Sequence, residues 1–190
     1  MSISIPKDTV IETPRVVLRA PHRKDYPAWS DGRQADRAIL EPWEPRWPVD
    51  ALSREDWTRR LKAWRSAWEV DRAYVFLLFL KGTDDLAGGV SLTNVRRGPA
   101  MAASLGYWLL SRFQGHGLMQ EAVSAISAWS RDTLGLSRLE AGTLPENLKS
   151  QAVLTRCQFV EEGRARAYLE IHGVRRDHIL FGINLSDLAS

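Results

Sequence analysis

Tyr107–Ala122 reads YWLLSRFQGHGLMQEA, and the fold turns on how this stretch divides. The apolar run Tyr107–Leu110 suits a buried strand, Ser111–Phe113 breaks it, and Gln114-Gly115-His116-Gly117 leads into a long amphipathic segment that opens at Leu118. A strand, a glycine turn and a helix start aim several backbone N–H groups at one point, because the first turn of a helix has no internal partners for them. The helix dipole adds positive potential at the same end, so the expected guest is an anion, most often a phosphate. Gly115 and Gly117 let the backbone approach that guest with no Cβ in the way. Glycine spacing alone fits equally well a turn that only joins two elements.

The chain of 190 residues is 44% apolar, which suits one compact domain with a good core and leaves little room for two. Lys and Arg number 26 against 23 Asp and Glu, a net charge of +3 that permits an acidic or phosphorylated partner without demanding one. The single Cys157 excludes an intramolecular disulfide, and the four scattered histidines have no zinc-ligand spacing, so no metal is expected. Met1–Val10 has neither the apolar stretch nor the cleavage signal of a secretory leader, and no run is long enough to span a bilayer. The expectation is a soluble cytoplasmic protein, monomer or homodimer, with no membrane partner.

Outward from the central stretch, residues 1–14 read as a flexible arm ahead of a single domain over 15–185. Arg15–Ala20 is a strand closed by Pro21, and His22–Gln34 a helix with Tyr26 and Trp29 turned inward. The three prolines of Ile39–Asp50, ILEPWEPRWPVD, forbid regular helix and make it an ordered loop or flap. Ser53 caps the next helix, whose Trp57, Leu61, Trp64 and Trp68 recur at helical spacing and read as core before they read as a ligand cage. Tyr74–Leu80, Leu86–Val95 and Ala102–Leu110 form an antiparallel meander. The order then changes: a helix from Leu118 to about Gly135, strand Arg138–Thr143, helix Asn147–Arg156, and a hairpin of Phe159–Ile171 and Arg175–Ile183 around His172-Gly173. The sum is an α/β (α+β) protein, a mixed sheet with helices on both faces.

A Walker-type phosphate loop is excluded because no Gly-Lys-Ser/Thr follows the turn. A dinucleotide fingerprint fails at Gln120, where its third glycine belongs, although Glu140 falls near the place of a ribose-binding carboxylate. Gln114-Gly115-His116-Gly117-Leu118-Met119 resembles the pyrophosphate loop of the GNAT-type N-acetyltransferases, with Met119 where that pattern wants glycine or alanine. Arg15–Arg19, Gly106-Tyr107-Trp108, Pro145-Glu146-Asn147, Ser150 and Phe159 resemble the rest of the family pattern in order. Leu40-Glu41-Pro42-Trp43-Glu44-Pro45 resembles the RimJ-type branch, which acetylates the N-terminal alanine of ribosomal proteins. The resemblance covers roughly residues 12–183. It implies a mixed, mostly antiparallel sheet of six or seven strands, splayed between its fourth and fifth strands to hold acetyl-coenzyme A as co-substrate.

On that resemblance, the backbone of Gly115, His116, Gly117, Leu118 and Met119, with Gln114, takes the pyrophosphate. The edge of Trp108, Leu109 and Leu110 pairs with the pantetheine arm and offers an N–H to the thioester oxygen, and Asn147 bonds a pantetheine amide besides capping its helix. The glutamate and tyrosine that many relatives use as base and acid are replaced by Ser104 and Leu154. Ser150 and Glu44 are the remaining catalytic candidates. Glu41, Trp43, Trp47 and Tyr168 are expected to line the acceptor cleft, although a flap glutamate is as often merely solvated. The pairs Arg96-Arg97, Arg164/Arg166 and Arg175-Arg176 are candidates to guide a ribosome-associated substrate or to meet coenzyme A phosphate. An N-terminal α-amine suits a site without a strong base better than lysine does. A small-molecule amine is the alternative acceptor, and a non-catalytic acyl-coenzyme A sensor the alternative of another class.

Overall fold

The run Tyr74–Leu80 is apolar at every position because helices cover both of its faces. In the computed structural model, which describes residues 6 and 8–188, the strands are Val10–Glu12 (β1), Val16–Arg19 (β2), Tyr74–Leu80 (β3), Leu86–Arg96 (β4), Ala102–Leu109 (β5), Arg138–Thr143 (β6), Val160–Ile171 (β7) and Val174–Asn184 (β8). The helices are Tyr26–Ala35 (α1), Arg37–Leu40 (α2), Arg54–Glu69 (α3), Leu118–Asp132 (α4) and Leu148–Arg156 (α5). The strands form one sheet in the order β1-β2-β3-β4-β5-β6-β8-β7. Every neighbouring pair is antiparallel except β5 and β6, whose parallel pairing requires a crossover, and α4 supplies it.

Alternation along β3 sorts the core into two halves. Tyr74, Phe76 and Leu78 pack with Leu118, Ala122, Ile126 and Leu154 on the side of α4 and α5. Leu77 and Phe79 pack with Trp29, Trp47, Trp57 and Leu110 on the side of α1 and α3. Trp57 stacks on Trp29 with ring centres 4.7 Å apart, so the tryptophan stripe of α3 is largely core. Ser53 caps α3 as its sequence implies, its Oγ accepting from the Asp56 N–H at 3.0 Å.

Three features differ from the sequence expectation, each for a local cause. Val10–Glu12, inside the stretch expected to be a flexible arm, pairs with β2 and brings the sheet to eight strands instead of six or seven; residues 1–5 and 7 of that stretch lie outside the described residues. The first long helix begins at Tyr26 after a single turn over Arg23–Asp25. The flap is more helical than its prolines suggest, because α2 runs to Leu40 and Pro42 sits in the first turn of the short helix Glu41–Trp43, where a missing N–H costs nothing.

The sheet opens where β5 and β6 part. Ala102–Ser104 pair with Arg138–Glu140, and the pairing stops there although both strands continue. Gly106 and Gly142, each two residues beyond the last pair Ser104 and Glu140, therefore face each other across a gap. Gly106 continues a row through Ser91 to Val75, and Gly142 continues one to Leu180. Because Val75 alternates with Phe76 as Leu77 does, this row lies on the α1 and α3 side of the sheet.

Candidate active site

At the head of the gap the chain makes its glycine turn. Gly115 and Gly117 have φ of 83° and 74°, left-handed values that cost other residues about 1–2 kcal/mol. The first bond within α4 runs from the Glu121 N–H to the Gly117 carbonyl, so the N–H groups of Leu118, Met119 and Gln120 have no partner within the helix. The side chains of Leu118 and Met119 are buried in the core, which explains why methionine is tolerated in place of glycine or alanine. Arg15 braces the loop by donating to the His116 carbonyl at 2.8 Å and pairing with Glu121 at 2.6 Å. Burial pushes the Glu121 carboxyl up, but bonds from Thr13, the Arg15 N–H and the Arg15 guanidinium outweigh it and hold the group below the ordinary carboxylate value. The one acidic residue of the first turn is thereby neutralised beside the anion site.

Below the loop, β5 has no strand partner on its β6 side past Ser104. Gln114 reaches back to donate to the Leu109 carbonyl at 3.1 Å and accepts from Lys149 of α5 at 3.1 Å, so it spans the top of the gap. The Leu110 N–H is committed to the Ala87 carbonyl at 2.8 Å, and because backbone groups alternate along a strand the Trp108 N–H turns the same way, toward its β4 partner Gly89. The expected edge of Trp108, Leu109 and Leu110 is therefore carried instead by Tyr107 and Leu109. Asn147 caps α5, its Oδ1 accepting from the Ser150 N–H at 3.1 Å, and its side-chain nitrogen carries no bond among the described residues. The Tyr107 hydroxyl lies 2.8 Å from Ser150 Oγ and 3.0 Å from the Ser150 carbonyl. Burial raises the Tyr107 phenol above its ordinary value, which keeps it protonated and able to donate. Leu154 is fully buried and offers no chemistry in the tyrosine position.

On the α1 and α3 side, the flap is locked by one arginine. Arg33 projects from α1, is mostly buried, pairs with Glu44, and lies over the rings of Trp47 at 4.6 Å and Trp108 at 4.9 Å. Glu44 also accepts from the Trp47 indole N–H at 2.8 Å. Its carboxylate is thus committed to the flap rather than open to an amine. The Glu44 carbonyl accepts from the His172 N–H at 2.9 Å, which ties the flap to the turn between β7 and β8. Glu41 pairs with Arg37 at 2.9 Å, and that bond holds its carboxyl below the ordinary value. Trp43 is exposed and Trp47 buried, so of the two flap tryptophans only Trp43 offers a free ring.

Across the gap, Tyr168 of β7 and His178 of β8 stand beside Gly142, their nearest atoms 3.6 Å from the position of its missing Cβ. The two rings meet edge to face with centres 5.7 Å apart. His178 is buried, and its Nδ1 lies 3.1 Å from the Arg176 carbonyl, an acceptor only, so Nδ1 carries the proton and Nε2 is bare in the neutral ring. Glu140, on the same face as Gly142, is held by Arg96 at 2.5 Å and Arg138 at 3.1 Å. Of the bases Glu41, Glu44, Glu140 and His178, only the histidine has no cationic partner among the described residues. Neither His178 nor Tyr107 stands out in the sequence. The only signal for the first is a histidine sharing the parity of Leu180 in the closing strand, which points nowhere until the sheet order is known.

Comparison with known proteins agrees with this geometry. A family profile described as an acetyltransferase (GNAT) domain matches residues 15–160. The chain is 33% identical over 177 residues to the ribosomal protein uS5-alanine N-acetyltransferase of Escherichia coli (strain K12), covering 93% of this chain and 91% of that one. Mycobacterium smegmatis RimJ, solved in complex with CoA-disulfide, superposes with a TM-score of 0.90 at 33% identity over 97% of this chain and 90% of its own. The ribosomal-protein-S5-alanine acetyltransferase of Vibrio fischeri superposes with a TM-score of 0.87 at 32% identity, covering 96% of this chain and all of its own. An acetyl-coenzyme A diphosphate and pantetheine arm would need donors of the kind that the first turn of α4, the open edge of β5 and the Asn147 amide offer. With the helix-capped loop, the splayed strands and the matched profile in agreement, the chain belongs to the GNAT N-acetyltransferases and is an acyltransferase that uses acetyl-coenzyme A.

Proposed function

We propose that the enzyme acetylates the N-terminal α-amine of a protein, an alanine of a ribosomal protein by its likeness to the uS5-alanine acetyltransferases, by direct transfer while both substrates are bound in the cytoplasm. The observation that carries the acceptor assignment is the pairing of every carboxylate named around the gap with arginine, which leaves the His178 imidazole as the base. An α-amine has a pKa of about 7.7–8.0, so roughly a tenth is neutral at pH 7, against about 0.04% for lysine. A weak base suffices for the first and not for the second.

In this reading the amine attacks the thioester carbon and gives its proton to His178 Nε2. The oxygen takes up charge against an N–H on the free edge of β5. As the C–S bond breaks, the Ser150 O–H hydrogen-bonds the sulfur, and Tyr107 donates to Ser150 Oγ so that the serine proton is directed outward. A thiol pKa of about 8.5 makes the thiolate a fair leaving group, so a hydrogen bond serves in place of full proton transfer. Cys157 does not carry the acyl group, being buried behind α4 with its thiol pushed up by desolvation. Mass spectrometry of an alanine-initiated peptide after reaction tests the reading: acetyl on the first residue supports it, and acetyl on an internal lysine contradicts it.

A further inference from the structure

Besides the small cavity beneath the flap, an open groove of about 490 Å³ lies between α3 and the segment after β2. Leu61, Trp64 and Val75 give it an apolar lining, and Arg23, Lys62 and Arg65 give it charge. The cations of α3 and of the turn before α1 are not all alike. Arg59 and Arg60 are spent on Asp50 and Asp56, whereas Arg23, Lys62 and Arg65 have no carboxylate partner among the described residues. Such a cluster beside tryptophan and leucine fits an anionic chain that also buries some apolar surface.

The groove is in register with the gap. Its Val75 pairs with Ser91, and Ser91 with Gly106, so the groove wall and the edge of the gap share one row of one face. Two strand spacings amount to about 10 Å, which an extended chain covers in about three residues. The bond from His172 to Glu44 bridges the flap to the β7–β8 turn, so a chain leaving the gap has its open path toward α3.

We propose that this groove receives the segment behind the acceptor's amino terminus and selects for carboxylates at about its third to fifth residues. The proposal rests on the reading of the acceptor as a polypeptide N-terminus. It adds a specificity element, Arg23, Lys62 and Arg65, that lies outside the reacting atoms and reads the acceptor's charge.

The test uses two alanine-initiated peptides that differ only at positions three to five, aspartate and glutamate in one and lysine in the other. Their binding is followed by calorimetry and their acetylation by steady-state kinetics, with the full chain and with a Lys62→Glu, Arg65→Glu double variant. Two exposed pairs predict about fivefold tighter binding and lower KM for the acidic peptide, and a reversed preference in the variant. Equal binding of the two peptides, or a preference that survives charge reversal, overturns the proposal even if both are acetylated. Preferential binding of the acidic peptide without acetylation would uphold the groove and contradict the assigned acceptor. Displacement of the acidic peptide by a short RNA at lower concentration than by free acidic peptide would overturn it in favour of a phosphate backbone.

Discussion

The phenol of Tyr107 and the hydroxyl of Ser150 stand 2.8 Å apart, joining the open edge of β5 to the first turn of α5. The Ser150 carbonyl lies 3.0 Å from the same phenol, whose single proton goes to one acceptor at a time; given to Oγ, it directs the serine's own proton outward. Ser150→Ala is expected to lower kcat by roughly 10²-fold and Tyr107→Phe by about tenfold, with the double variant close to Ser150→Ala alone because the two act as one unit. Single-turnover rates at saturating acetyl-coenzyme A check this. Fully multiplicative losses would mean that the residues act independently.

His178 is expected to take the amine's proton. His178→Gln should lower kcat/KM for an alanine-initiated peptide by roughly 10²-fold at neutral pH while leaving acetyl-coenzyme A binding unchanged. A loss smaller than about threefold would remove His178 from proton transfer.

Glu44 is expected to behave as a latch. Arg33 and Glu44 keep only 10% and 25% of their side-chain surface exposed, so deleting Arg33 leaves a carboxylate in a partly dry site. Arg33→Ala should cost about 2–3 kcal/mol in urea unfolding, less than a fully buried pair would. Glu44→Gln keeps the shape and should lower kcat by less than about tenfold, short of what loss of a general base brings.

Stability should fall on the acid side for reasons that can be assigned. Burial pushes the Asp71 carboxyl up, but bonds from Arg97 and Tyr74 more than offset it, so the group lies below its ordinary value of 3.8. Glu121 and Glu140 lie below the ordinary 4.5 in the same way, bonds from Arg15 and Thr13 and from Arg96 and Arg138 overcoming burial. Folded values depressed in this manner give stability that is complete above the unfolded values and is lost as pH falls through the folded ones. The urea midpoint should therefore hold down to about pH 4.5 and then decline, and Asp71→Asn should start lower and decline less. A decline beginning near neutral pH would point to another group.

Features that depend on neighbours along the chain are legible in the amino-acid sequence alone. Gly115 and Gly117, the cap at Ser53, the stripe of α3 and the closing hairpin declare themselves through backbone preference and periodicity. Features that depend on sheet order are not. Val10–Glu12 is too short to show as a strand until β2 offers it an edge. Glu44 looks like a base until Arg33, eleven residues earlier on α1, folds against it. His178 and Gly142 are separate in sequence and become neighbours only because β8 inserts beside β6.

The central claim is that this chain moves an acetyl group onto a free α-amine. The direct measurement is thiol release from acetyl-coenzyme A with a short peptide beginning in alanine, beside the same peptide with its N-terminus blocked and an internal lysine free. Release with the open peptide alone is the predicted result. Release with the blocked peptide, or with neither peptide from a protein that binds the cofactor, would contradict it.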